Sequence, residues 1–164
     1  ICLGRVLDQF KLGALAGNPD ADVNVSFVGS WDDVVKGQQV TQAQIDRGVD
    51  ILLIIGDAFA PPAIELARSH GIKVIGGWSG DAHALAPDTV ITSAVQDVPG
   101  VYMAVARQFQ AGVLKGNTAF VSGFAEKTQL MGTWGEFVPA EVKDQVNQAI
   151  DDYLAGKLEI PVLK

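Results

Sequence analysis

The most apolar stretch of the chain predicts a strand, a helix and a second strand in succession. Residues 50–55 are almost wholly apolar and rich in β-branched side chains, a pattern typical of a strand that is covered on both faces. Pro61 and Pro62 fit only the first turn of a helix, which Gly71 then ends. The strand pattern resumes at residues 73–76. Together these features predict a right-handed, parallel βαβ unit.

The same alternation extends over most of the chain. Apolar residues at helical spacing predict helices over 5–17, 34–47, 99–114 and 139–156, and strand patterns occupy 23–28, 90–95 and 118–124. Residues 125–137 are predicted to be irregular and the last residues extended. The expected buried side of the helix over 99–114 comprises Val101, Met103, Ala104, Val105 and Phe109. We therefore predict an α/β fold with a three-layer, doubly wound parallel sheet.

Composition narrows the function classes. The 164 residues are 48% hydrophobic, which favours one globular unit with a real core. A net charge of -7 without any Lys/Arg cluster argues against a nucleic-acid partner. Cys2 is the single cysteine and there are two histidines, so no internal disulfide, metal centre or cofactor is expected. Ile1 is not a methionine, and we expect an upstream portion that carries any targeting segment.

Candidate chemistry lies where the predicted strands end. Ligands of open parallel sheets bind beyond the carboxyl ends of the strands, which here points to residues 56–60 and 77–81. Trp31 follows the first predicted strand and would either stack on a flat ligand or pack under the next helix. Asp57 would either cap the following helix or contact the ligand. Asp32 or Asp33 is expected to cap the helix over 34–47.

Enzyme interpretations rank lower. Asp32, Asp33 and Asp57 follow consecutive strands and could hold Mg²⁺, as in aspartate phosphotransfer enzymes, but no lysine at a third strand end completes that set. The segment 77–81 lacks the final glycine of a serine-hydrolase elbow, and no phosphate-binding glycine loop occurs. We therefore predict a binding protein and not an enzyme, with the Mg²⁺-dependent enzyme as the alternative from another class.

Several short motifs occur in a characteristic order. They are Asp8-x-Phe10-x-x-Gly13, Asn18-Pro19-Asp20, Gly29-Ser30-Trp31 with Asp33 and Lys36-Gly37, Gly48 before the apolar strand, Val74-Ile75-Gly76, and the closing Ala155-Gly156-Lys157 with Ile160-Pro161. In this order and spacing the chain resembles the basic membrane protein family of bacterial substrate-binding lipoproteins, the purine and nucleoside receptors of ABC importers.

The resemblance implies one lobe of a type I periplasmic binding protein, because members of that family are about twice as long and hold the ligand between two α/β lobes. Residues 18–88 and 117–164 would form the second lobe, and 89–116 a crossover strand and helix that belong to the first. Implied partners are a small purine or nucleoside-like ligand, an ABC permease and the missing first lobe, which would cover the apolar helix over 101–114. The implied location is periplasmic or otherwise extracytoplasmic, with or without a lipid anchor.

The resemblance and the strand ends together nominate a set of ligand-binding residues. They are Asp8, Trp31, Asp57, Phe59, Trp78, Ser79, Asp81 and Gln96. Nucleoside-binding relatives carry an aspartate for the ribose hydroxyls where this chain has Trp78, with Asp81 displaced, and a basic residue where it has Gln96. Ribose would therefore be poorly paired, which favours a free purine base enclosed by Trp31, Phe59 and Trp78. The other alternative function is a regulatory sensor on the same fold. Trp134 is expected to pack in the core and not to contact the ligand.

Overall fold

The computed structural model describes residues 2–78, 80–117, 119 and 122–161. Its elements are α1 (Cys2–Gly17), α2 (Val34–Asp46), β1 (Ile51–Ile55), α3 (Ala60–Ser69), β2 (Lys73–Trp78), a short 3-10 turn (Ala82–Leu85), β3 (Val90–Gln96), α4 (Val98–Gln110), β4 (Gln129–Met131) and α5 (Ala140–Leu154). One four-stranded sheet has the order β1-β2-β3-β4, in which the first three strands are parallel and β4 is antiparallel. The predicted α/β class is confirmed, with a mixed sheet flanked by helices.

The βαβ unit of β1, α3 and β2 forms as predicted. Ile51 pairs with Lys73 and Ile55 with Gly77 in a continuous parallel register. The two prolines lie in the first turn of α3, and Gly71 ends the helix with a positive φ of 74°. Local sequence signals are therefore sufficient to predict β1 and β2.

The hydrophobic core lies on the face of the sheet that α3 covers. Ala63, Ile64 and Ala67 of α3 are buried, and they form one cluster with side chains of all three parallel strands. The strand residues in this cluster are Ile54, Val74 and Val90. α2 packs against α3 and extends the helical layer.

Phe59 joins α2, α3 and β1. Its side chain is 6% exposed and lies against two glycines, Gly37 of α2 and Gly56 after β1. A Cβ atom at Gly37 would lie 2.5 Å from Phe59 Cβ and 2.7 Å from Phe59 Cγ, and one at Gly56 would overlap the ring. The Phe59 ring therefore lies in the core and lines neither hollow described below, and a contact with the ligand stays a prediction.

Two strand predictions differ from the structure. Residues 23–28 form no strand, since the segment joins no ladder and is held instead by a hydrogen bond from Gln44 Nε2 to Ser26 Oγ (2.9 Å) and by packing of Val28 on the core. Within the predicted strand 118–124, residues 118, 120 and 121 lie outside the described residues, and 122–124 are not a strand. β4 forms instead in the stretch predicted to be irregular, because the free edge of β3 supplies its partner.

The apolar side of α4 is only partly covered and not buried as predicted, since Val101, Ala104 and Val105 are half-buried. Met103 is 53% and Phe109 73% exposed, and no described residue of α4 is buried. No described helix or strand packs closely against this helix, so part of its apolar face meets solvent. No described helix combines the length and the apolar content that crossing a bilayer requires.

A matched pair of glycine substitutions tests the packing of Phe59. Gly37→Ala is expected to lower the free energy of unfolding by about 1–3 kcal/mol, because the added methyl group overpacks the ring. Gly13→Ala in α1 has open space around it and is expected to be neutral or slightly stabilising. Urea unfolding of both variants measures the difference; equal effects would contradict this packing.

Candidate ligand-binding site

Two neighbouring hollows open at the carboxyl ends of the parallel strands. The large hollow, of about 360 Å³, is lined by Trp31, Ile55, Gly56, Asp57, Gly77, Gln96 and Val98. The small hollow, of about 140 Å³, is lined by Ile54, Gly56, Asp57, Ala60, Pro61, Ile64, Gly76, Gly77, Gly80, Asp81, Ala82 and Leu85. Both share the ends of β1 and β2. The position agrees with the general rule for ligand sites in open α/β sheets.

Trp31 lies on one side of the large hollow in a tightly bonded turn. Ser30 Oγ accepts hydrogen bonds from the amides of Asp32 and Asp33, both at 3.2 Å. Asp33 then caps α2, as predicted, by accepting a bond from the Lys36 amide at 2.9 Å. The Trp31 side chain is 43% exposed, so it offers an aromatic surface to the large hollow.

Asp57 lies between the two hollows and contributes to both. Its amide donates to the Trp31 carbonyl oxygen (3.1 Å), which ties the turn before α2 to the end of β1. Its carboxylate does not cap α3, because the N-cap residue of that helix is Phe59 and no side-chain cap bond is made there. The capping interpretation of Asp57 is therefore wrong, and the exposed carboxylate lines the site.

Asp81 braces the loop after β2. Its carboxylate accepts bonds from the Thr133 amide (2.8 Å), the His83 amide (3.1 Å) and Ser93 Oγ (3.3 Å). Desolvation acts to raise the pKa of Asp81, but hydrogen bonds from Thr133, His83 and Ser93 outweigh it, so the pKa lies below its usual value. Asp81 thus joins the 3-10 turn, β3 and the segment after β4 while it lines the small hollow.

The remaining candidates are spread over the chain. Gln96, the last residue of β3, is half-buried at the large hollow. Asp8 is on an exposed face of α1 and lines neither hollow. The Trp78 side chain and Ser79 lie outside what the structure describes. Trp134, expected to plug the core, is half-buried.

Sequence reasoning missed several lining residues. Val98 borders the large hollow because α4 begins directly after β3, and Leu85 borders the small hollow from the 3-10 turn. Val98 could have been predicted to line the site, because it comes two residues after Gln96. No local feature of the sequence predicts that Leu85 lines it. No group of three or more His, Cys, Asp or Glu side chains that could hold a metal ion occurs in the described part of the chain.

The brace formed by Asp81 predicts a pH-dependent loss of stability. Asp81→Asn is expected to lower the free energy of unfolding at pH 7 by about 1–2 kcal/mol, because an amide cannot accept at both oxygen positions. The folded-state pKa is below the unfolded value of about 3.9, so the contribution is present above that pH and is lost as the pH falls through the folded-state pKa.

Urea unfolding at pH 7 and pH 3 measures this effect. Asp144→Asn on α5, an exposed carboxylate outside the site, serves as the control. A stability difference between wild type and Asp81→Asn that is the same at both pH values would contradict the assignment.

Comparison with known proteins gives the chain a family. The model of the PnrA-like ABC transporter substrate-binding proteins matches residues 3–162. The transcriptional activator protein Med of Bacillus subtilis is 31% identical over 150 residues, which are 90% of this chain and 46% of that protein. A purine-binding protein of Brucella abortus is 38% identical over 109 residues, which are 66% of this chain and 30% of that protein.

A solved structure of a similar protein also matches the fold of this chain. The crystal structure of a transcriptional activator of the comK gene from Bacillus halodurans superposes with a TM-score of 0.75 at 31% identity, covering 84% of this chain and 47% of that one. The chain thus spans less than half the length of each of these three proteins. The match over nearly all of its residues confirms the resemblance seen in the sequence motifs, and the chain belongs to the family of PnrA-like ABC transporter substrate-binding proteins.

Proposed function

We propose that this chain is part of a solute-binding protein that holds a small, flat molecule in the large hollow. The observation that carries the proposal is the convergence of Trp31, Asp57 and Gln96, which come from three separate segments, on one hollow of about 360 Å³. An aromatic surface with a few polar groups is the usual composition of a small-molecule site. Binding would proceed without covalent chemistry.

The proposed ligand is a free purine base. Its flat ring would stack on Trp31, and its edge would exchange hydrogen bonds with the Asp57 carboxylate and the Gln96 amide. The residue types at Trp78 and Gln96 favour a base over a nucleoside, since the acid and the cation that the family resemblance implies for ribose recognition are missing. The name of the Brucella relative is in keeping with a purine ligand.

We further propose that a second lobe of the same fold closes over the ligand. In this arrangement residues 18–88 and 117–164 form one lobe and 89–116 cross to the other. An ABC permease would recognise the closed form. The protein would be periplasmic or otherwise extracytoplasmic, with or without a lipid anchor. The family membership supports the permease partner and the extracytoplasmic location.

A ligand-sensing regulator is the second candidate function. It is favoured by the Bacillus relative and by the Bacillus halodurans structure, both of which are named as transcriptional activators. The same hollow would then couple ligand binding to gene expression and not to transport. Uptake of radiolabelled purine by cells with and without the gene distinguishes the two: unchanged uptake with altered transcription would favour the regulator.

Substitution of Trp31 tests the stacking surface. Trp31→Ala is expected to weaken binding of adenine by about 1–3 kcal/mol, because base stacking on an aromatic side chain contributes that much, whereas Trp31→Phe should retain part of it. Phe27→Ala removes an aromatic side chain that is 66% exposed and lines neither hollow, so it is the matched control. Titration calorimetry on the two-lobed protein measures all three variants, and an unchanged affinity in Trp31→Ala would exclude stacking there.

A comparison of ligands tests the proposed specificity. Adenine and hypoxanthine are expected to bind the two-lobed protein at least about 10-fold more tightly than inosine, because the ribose hydroxyls would be left unpaired on burial. Calorimetric titrations at equal salt concentration give the ratio. Tighter binding of inosine would refute the free base as the ligand.

A further inference from the structure

We infer that Asp97 is a positioning residue of the large hollow: by capping α4 it holds Gln96 and Val98, its two neighbours in sequence, where they line the site. Asp97 lines neither hollow itself, so it acts on a ligand only through these neighbours. This role rests on the proposed ligand-binding function and adds to it a residue that keeps the site in shape.

Asp97 is the single residue between β3 and α4. β3 ends at Gln96 and α4 begins at Val98, and both of these residues line the large hollow. No loop is present here to absorb a change of direction, so the backbone angles of Asp97 set the position of one lining residue relative to the other. At the end of β1, by contrast, residues 56–59 separate the strand from α3.

The cap of α4 is a close contact between Asp97 and Gly100. Asp97 Oδ1 accepts a hydrogen bond from the Gly100 amide at 3.0 Å. A Cβ atom at residue 100 would overlap the Asp97 carboxylate, so the glycine permits this approach. The Asp97 carbonyl oxygen also accepts a bond from the Val101 amide at 3.0 Å. Side chain and backbone of Asp97 thus hold the first turn of α4 together.

The strand side of this corner is held from β4. The Asp97 amide donates to the Thr128 carbonyl oxygen at 2.9 Å. Gln129 Nε2 donates to the Val95 carbonyl oxygen at 3.1 Å, and Gln129 pairs with Gln96 across the two strands. The backbone on both sides of Gln96 is therefore fixed to the neighbouring strand, and the Asp97 cap fixes the side that leads into α4.

Packing within the described part of the chain does not replace this cap. No described helix or strand packs closely against α4, and no described residue of the helix is buried. A helix end frays when its cap is lost and tertiary contacts do not hold it. Loss of the Asp97 carboxylate would therefore loosen Val98 first and the adjoining Gln96 next, at the border of the large hollow.

Adenine binding by the two-lobed protein tests this role, measured by titration calorimetry. Asp97→Ala is expected to weaken adenine about 10-fold, because Gln96 and Val98 lose their fixed geometry when the cap is removed. Gly100→Ala should weaken adenine to a similar extent, since its methyl group displaces the Asp97 carboxylate. Asp97→Asn keeps a capping oxygen and should stay within about 3-fold of the wild type.

A double-mutant cycle separates positioning from direct contact. In a Gln96→Ala background, Asp97→Ala should weaken adenine by at most about a further 3-fold, because residues that act through one another have non-additive effects. Full additivity of the two substitutions would overturn the positioning role, and so would an unchanged affinity in Gly100→Ala.

The control for loss of stability alone is Ala67→Gly. Ala67 is fully buried in α3 and lines neither hollow, and a glycine within a helix destabilises it to an extent similar to the loss of a cap. Urea unfolding compares the stability of this variant with that of Asp97→Ala, and its affinity for adenine should not change. Equal weakening of adenine in both variants would overturn the positioning role, while binding by the wild type still supported the proposed function. Failure of the wild type to bind adenine would overturn the proposed function and the positioning role with it.

Discussion

The packing of the Phe59 ring against two glycines is the constraint on which the ligand-binding end of the sheet depends. A buried aromatic ring contributes a large apolar area, and it can approach a helix and a strand end this closely only where no Cβ intervenes. Gly37 and Gly56 provide those positions. Gly56 lines both hollows and is followed by Asp57. The packing of the Phe59 ring on Gly56 therefore helps to fix the backbone position of these two lining residues.

The same contact positions Trp31. The N-terminal turn of α2 is held by the Asp33 cap, and one turn later Gly37 rests on Phe59. Trp31 lies two residues before the Asp33 cap, and its carbonyl oxygen accepts the Asp57 amide, so its backbone is held by two elements. A binding group that is held before the ligand arrives loses little entropy on binding. These bonds fix the backbone position from which the Trp31 side chain reaches the large hollow.

The sequence predicts those parts of the fold that depend on local signals. The apolar run of β1, the prolines of α3 and Gly71 predict the βαβ unit, and the shared direction of β1 and β3 brings Asp57 and Gln96 to one hollow. Trp31 follows no strand in the structure and joins them through the bond from the Asp57 amide to its carbonyl oxygen. What depends on distant partners was not predictable. Three-residue β4 forms because β3 has a free edge, and Asp81 is a brace because Thr133 lies beside it. The burial of Phe59 was not predicted because one of its two glycine partners, Gly37, lies on another helix.

Two neighbouring features of the structure fit the covering lobe that we propose. The large hollow is open, whereas a small-molecule site usually buries 70–90% of its ligand. α4 begins at Val98 on the border of this hollow and continues with exposed apolar residues, among them Phe109, which is 73% exposed. A cover that buried only the ligand would leave this helix face in water, and one that buried only the helix would leave the ligand unprotected. The second lobe that we propose satisfies both needs with one contact surface, since the apolar face starts where the hollow ends.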